Sequence, residues 1–166
     1  MKKYFFLILA LPLFLGSCVK DECSFPETSI VASSSEIASI QAYLASISAT
    51  ATQHSSGVFY TINTPGSGNG VGSLCNTIVV TYNAYKFGSG TPFNSYSDPA
   101  GIAFVLGTLI TGVQKVMPLV KPGGSITMYI PPSLAYGNQP QRDANGAIIL
   151  PANSYIKFEM SLLGIR

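Results

Sequence analysis

Residues 154 to 165, SYIKFEMSLLGI, set Ile156, Phe158, Met160 and Leu162 against Lys157, Glu159 and Ser161. A two-residue period is the signature of a half-buried strand, because successive side chains leave a strand on opposite faces. Residues 125 to 132, SITMYIPP, repeat the pattern, with Ile126, Met128 and Ile130 against Ser125, Thr127 and Tyr129. Strands patterned this way belong to an antiparallel sheet, since parallel sheets are buried on both faces and read as unbroken apolar runs. The stretch NTIVVTYNAYKFGSG adds a longer strand with Ile78, Val80, Tyr82 and Ala84 on one face, and GVFYTIN and GIAFVLG read as shorter ones. The only helix this region allows is short, in TGVQKVMPLVKPGG, because Pro118 lacks the N–H that a helix interior needs. An antiparallel sheet with one face packed on that helix is an α+β domain, predicted over residues 57–166.

Ahead of it, SSSEIASIQAYLASI carries Ser33 with Glu36 three residues on, the capping-box spacing, then Ile37, Ile40, Leu44 and Ile47 at helical intervals. Residues 33–56 are therefore an amphipathic helix and its connector, expected to lie against the domain. Residues 18–32, with few apolar side chains, a proline and mixed charge, read as a tether. Residues 1–17 read as a secretory signal peptide: two lysines precede an apolar run from Tyr4 to Leu15 that is too short to span a bilayer and contains Pro12.

Leu15-Gly16-Ser17-Cys18 resembles the lipobox of bacterial lipoproteins, which implies lipid on Cys18 and a membrane anchor through buried acyl chains. The next residues, VKDEC, are similar to the short acidic export signal of surface lipoproteins in the Bacteroidetes; a solvated tether is the other reading. With Cys18 lipidated, Cys23 and Cys75 remain in an oxidising compartment, where a disulfide between them is expected and two free thiols are the alternative.

Composition removes several classes of function. Lys2 and Lys3 account for the whole formal charge of +2, so nine basic residues against seven acidic become seven against seven once the leader is gone, and no basic cluster marks a nucleic-acid surface. His54 is the only histidine, with no cysteine or carboxylate cluster beside it to complete a metal site. Asp98, Asp143 and Glu159 fall in different elements, which argues against a triad or paired-carboxylate hydrolase. The loop PGSGNGVG leads into a strand, so no helix N-terminus faces a phosphate there. No tryptophan is available to stack on a glycan.

The succession VVTYNAY, GTPFNSY, FVLGTLITGV, VKPGGSITMYIPPSLAYG and LPANSYIKFEMSLLGI resembles an FKBP-type peptidyl-prolyl cis-trans isomerase from residue 57 to 166, and the leader and helix are similar to lipid-anchored members in Bacteroidetes. The resemblance implies a sheet of about five antiparallel strands wrapped round a short helix, with the pocket between them. It implies catalytic positions at Tyr136, Tyr82, Phe93 and Asn94, and substrate-binding positions at Ile102, Leu109, Ile110, Val113, Leu150 and Phe158. It implies no cofactor and no metal, proline-containing polypeptides as clients, a monomer, and an outer-membrane lipoprotein facing the periplasm or the cell surface.

Two positions depart from the better-known pattern. Asn94 stands where many members have aspartate, and Val113 where many have tryptophan. No Lys or Arg lies between Lys86 and Lys115 to pair with an aspartate, so both charges are absent together. Asn94 still offers an acceptor to Tyr82. A roomier, less polarised pocket is the expectation, and a catalytically weak or silent peptide-binding chaperone is the alternative to an active isomerase.

Overall fold

The computed structural model describes residues 23–166; the leader, Cys18 and the start of the tether lie outside the described residues. Helix α1 spans Ser34–Ser46, and the strands are β1 (Thr52–Gln53), β2 (Phe59–Thr64), β3 (Thr77–Lys86), β4 (Asn94–Tyr96) and β5 (Ile102–Val105). Helix α2 (Thr111–Val116) precedes β6 (Gly124–Ile130), β7 (Gln141–Arg142), β8 (Ile148–Leu150) and β9 (Ile156–Ile165). Among the described residues no helix is long and apolar enough to cross a membrane.

The two most regular alternations in the sequence are neighbours. β9 pairs antiparallel with β6 from Gly124↔Leu162 to Ile130↔Ile156, and on its other side with β3 from Ile78↔Ile165 to Lys86↔Ile156. Beyond β6 come β2 and then β1; beyond β3 the edge is shared, with β5 on Thr77–Val80 and β4 on Tyr82–Ala84. The sheet thus has seven strands among the described residues where about five were expected, the extra ones being the two-residue β1 and a β3 edge divided between two short strands. β7 and β8 form a separate ribbon.

Ile126, Met128, Ile130, Ile156, Met160 and Leu162 turn inward, as the alternation predicts, to meet α2 through Val113 and Val116. The approach is close: a Cβ at Gly112 would collide with Ile130. α2 stops after six residues and the chain continues as a 3-10 turn, Met117–Leu119, whose first turn accommodates Pro118.

Helix α1 begins on Ser33, with both halves of the capping box formed. Ile40 and Leu44 are buried against Phe59 and Tyr129, while Ile47 ends the helix exposed. Tyr129 belongs by period to the polar face of β6, yet it is only 6% exposed, because α1 covers that end of the sheet's outer face. Phe87 and Tyr43 stack beside it with ring centroids 3.9 Å apart.

Residues 23–32 form no helix or strand but are fastened to the domain. Cys23 and Cys75 are joined by a disulfide. The Phe25 ring lies so close over Gly107 that any β-carbon there would strike it, and Ala32 N–H donates to Ser56 O at 2.9 Å.

Candidate active site

The pocket is built where the sheet's inner face leaves α2. β3 and β9 present Tyr82, Phe158 and Met160 from paired rungs, Tyr82↔Met160 and Ala84↔Phe158. β5 adds Phe104, the turn into α2 adds Leu109 and Ile110, and α2 itself adds Val113. Asn94 and Tyr136 complete a cavity of about 200 Å³. That lies below the roughly 300–1,000 Å³ of drug-sized sites, a size for one small ring.

Its walls are aromatic on one side. The Tyr82 ring is 6.4 Å from Phe104 and 6.0 Å from Phe158 between centroids, both tilted. Tilted rings at such spacing set the positive edge of one against the negative face of another. Val113 is buried at 2% exposure, so its position under the cavity is fixed by the core and not by solvent. Gln114, next along α2, turns its amide away to donate to the carbonyls of Leu109 (2.6 Å) and Gly107 (3.0 Å), which pins the turn carrying Leu109 and Ile110.

Two hydroxyls reach the cavity. Tyr82 donates to Asn94 Oδ1 at 2.6 Å, so the neutral amide does accept the bond that the sequence left it able to accept. Burial pushes the Tyr82 phenol above its ordinary value. The Tyr136 phenol is pushed up as well, by burial first and by Tyr82 second, and no hydrogen bond to another described residue occupies it. Both remain protonated donors at neutral pH.

The Tyr136 loop is wound tightly. Pro132 O accepts from Ala135 N–H at 3.0 Å and from Gly137 N–H at 2.8 Å, and Gly137 takes φ +56°, a conformation that suits glycine. At its far end Gly137 O accepts from Asn153 N–H at 2.7 Å.

Of the positions named from the sequence, Tyr82, Asn94, Leu109, Ile110, Val113, Tyr136 and Phe158 meet in this cavity. Phe93, Ile102 and Leu150 do not line it. Leu150 is 1% exposed within the core, and Phe93 packs on the core beside β3, its N–H donating to Ala84 O at 2.8 Å. Ile102 pairs with Val80, one pleat short of Phe104, whose ring reaches the cavity in its place. Phe104 and Met160 were missed. The signal was present, since Phe104 shares a strand face with Ile102 and Met160 shares one with Phe158.

A family model described as FKBP-type peptidyl-prolyl cis-trans isomerase matches residues 73–163. The chain is 34% identical over 113 residues to the FKBP-type peptidyl-prolyl cis-trans isomerase FkpA of Buchnera aphidicola, an alignment covering 68% of this chain and 42% of that one. It spans about two fifths of the length of the curated relatives it matches. Among solved structures it resembles the crystal structure of FkpA from Escherichia coli, with TM-score 0.64 and 27% identity over 80% of this chain and 60% of that one. A peptidyl-prolyl cis-trans isomerase from Pseudomonas syringae aligns with TM-score 0.64 at 18% identity, over 83% of this chain and 98% of the other, a likeness of fold alone.

Proposed function

This chain belongs to the FKBP-type peptidyl-prolyl cis-trans isomerase family, and from that membership we propose that its pocket binds proline and accelerates rotation about X-Pro bonds in polypeptides of the cell envelope. The single observation that supports it most is the pairing of an aromatic-walled cavity with a protonated Tyr136 hydroxyl that bonds to no other described residue.

The barrier to X-Pro rotation, about 18–20 kcal/mol, is lost amide resonance. The planar amide separates charge and the twisted amide less so, hence moving it from water to an apolar pocket penalises the ground state more than the transition state. The proline ring enters between Tyr82, Phe104 and Phe158 above Val113. Tyr136 donates to a carbonyl of the bound peptide and holds the rotated geometry. The reaction calls for no proton transfer, so phenols that stay protonated serve it and no base is needed.

Purified protein comprising residues 19–166 should accelerate isomerisation of a proline peptide, and Tyr136→Phe should lower kcat/KM by about tenfold, the worth of one hydrogen bond made in the transition state. No acceleration at micromolar enzyme refutes the reading. Asn94 and Val113 favour a second one, a peptide-binding chaperone with little turnover; its mark is saturable binding of the same peptide without acceleration. The protein acts as a monomer held through lipid on Cys18 to the outer membrane, facing periplasm or surface. Mass spectrometry of the N-terminal peptide tests this, an unmodified Cys18 in the membrane fraction counting against it.

A further inference from the structure

In the loop that carries Tyr136, the Ser133 backbone donor is not satisfied by the loop's own turns. Pro132 has no N–H, Leu134 N–H bonds Pro131 O, and Ala135 and Gly137 N–H both bond Pro132 O. Ser133 stands in the first turn of the 3-10 segment Pro132–Leu134, where early N–H groups find no partner within the turn. Its N–H donates instead to Glu36 Oε1 at 3.0 Å, and its hydroxyl donates to Glu36 Oε2 at 2.9 Å. Glu36 lies 97 positions earlier in the chain, in the first turn of α1. The same carboxylate accepts from Ser33 N–H and Ser33 Oγ, each at 2.9 Å, so it closes the capping box and the loop at once. Burial raises the Glu36 pKa, but its bonds from Ser133 and Ser33 outweigh that and hold it below the ordinary value, leaving both oxygens as acceptors at neutral pH.

We propose that Glu36 is a positioning residue for Tyr136, fixing the Ser133 end of the loop so that the phenol stays aimed into the pocket. Local preference does not set this loop's path: Ala135, directly before Tyr136, has φ −117° and ψ −115°, in neither the helical nor the strand region. The path is held at its two ends, by Asn153 on Gly137 and by Glu36 on Ser133. Charge-assisted bonds to two atoms of one residue fix both position and orientation. α1 is on this account a part of the site, although no residue of it touches the cavity.

The inference rests on the isomerase reading of the pocket for its kinetic arm alone. In the full chain, Glu36→Ala should lower kcat/KM by about tenfold, chiefly through kcat, and Glu36→Gln, which keeps an acceptor for Ser133 N–H, should recover most of it. Glu36→Ala combined with Ser133→Ala should be no slower than Glu36→Ala, because both remove one link. Val79→Ala removes buried side chain from β3, away from α1 and from the cavity lining, and should stay within about twofold of the parent. In spectra of protein with labelled tyrosine rings, the Tyr136 signal should shift in Glu36→Ala and not in Val79→Ala. A Glu36→Ala rate within twofold of the parent, equal losses in the two variants, or an unmoved Tyr136 signal each overturns the inference. If the parent chain shows no isomerase activity, the isomerase reading fails by itself and the Tyr136 signal decides the role of Glu36.

Discussion

At the scale of single residues, Asn94 and Val113 ask different things of the pocket. Asn94 is exposed and accepts the Tyr82 hydroxyl, so its replacement leaves a phenol that water can still reach. Asn94→Ala should therefore lower kcat/KM by less than about tenfold and leave the thermal midpoint almost unchanged, as steady-state rates and a melting curve will show. Both phenols are displaced upward from the ordinary 10.0, so their neutral forms persist to higher pH than in free tyrosine. The rate should stay flat from about pH 6 to about pH 9, a range in which an enzyme using a histidine base would turn. The sequence carried the phenols well, Tyr136 above all, because a tyrosine between Ala135 and Gly137 in a proline-led loop has no place in strand patterning. It carried Phe104 and Met160 poorly, because periodicity says which side of a strand faces inward but not how far along that side the cavity extends.

Helix α1 was the most legible element. Ser33, Glu36, Ile40 and Leu44 announced its cap and its buried stripe. What the spacing left out was the second use of Glu36, since a capping box explains that residue completely by local rules while its bond to Ser133 depends on tertiary placement. The bond also makes stability depend on pH. Glu36 has a folded pKa below its unfolded value, so its contribution is complete above about pH 4.5 and disappears as pH falls through the lower folded pKa. Urea midpoints of the parent and Glu36→Gln should differ near neutrality and converge as pH is lowered below 4.5, and a gap that stays constant through the acid range would count against the ionised form as the source. Tyr129 fell on the wrong side for a similar reason. Its place in the alternation is polar, and only the arrival of α1 makes that position apolar.

For the molecule as a whole, the α+β class followed from β6 and β9, whose alternation leaves little freedom, whereas the number of strands did not, because β1 is too short to show a period and the β3 edge is divided. The segment before α1 reads as a tether by composition, yet Phe25 and the disulfide fasten it down. Cys23 and Cys75 are 52 positions apart, and a cross-link of that span stabilises a fold by about 4 kcal/mol in the chain-entropy model. Cys75→Ser together with Cys23→Ser should lower the unfolding free energy by an amount of that order in denaturant titrations, with the pocket's peptide affinity retained. The position of β9 has a consequence for synthesis. It is the last element in chain order, and it pairs with β6 on one side and β3 on the other. A nascent chain can therefore pair β2 with β6 while β3, with its two short edge strands, still lacks the strand that joins it to β6. The sheet becomes continuous only after residues 156–165 have left the ribosome, and these also bring Phe158 and Met160, so the pocket wall is completed late.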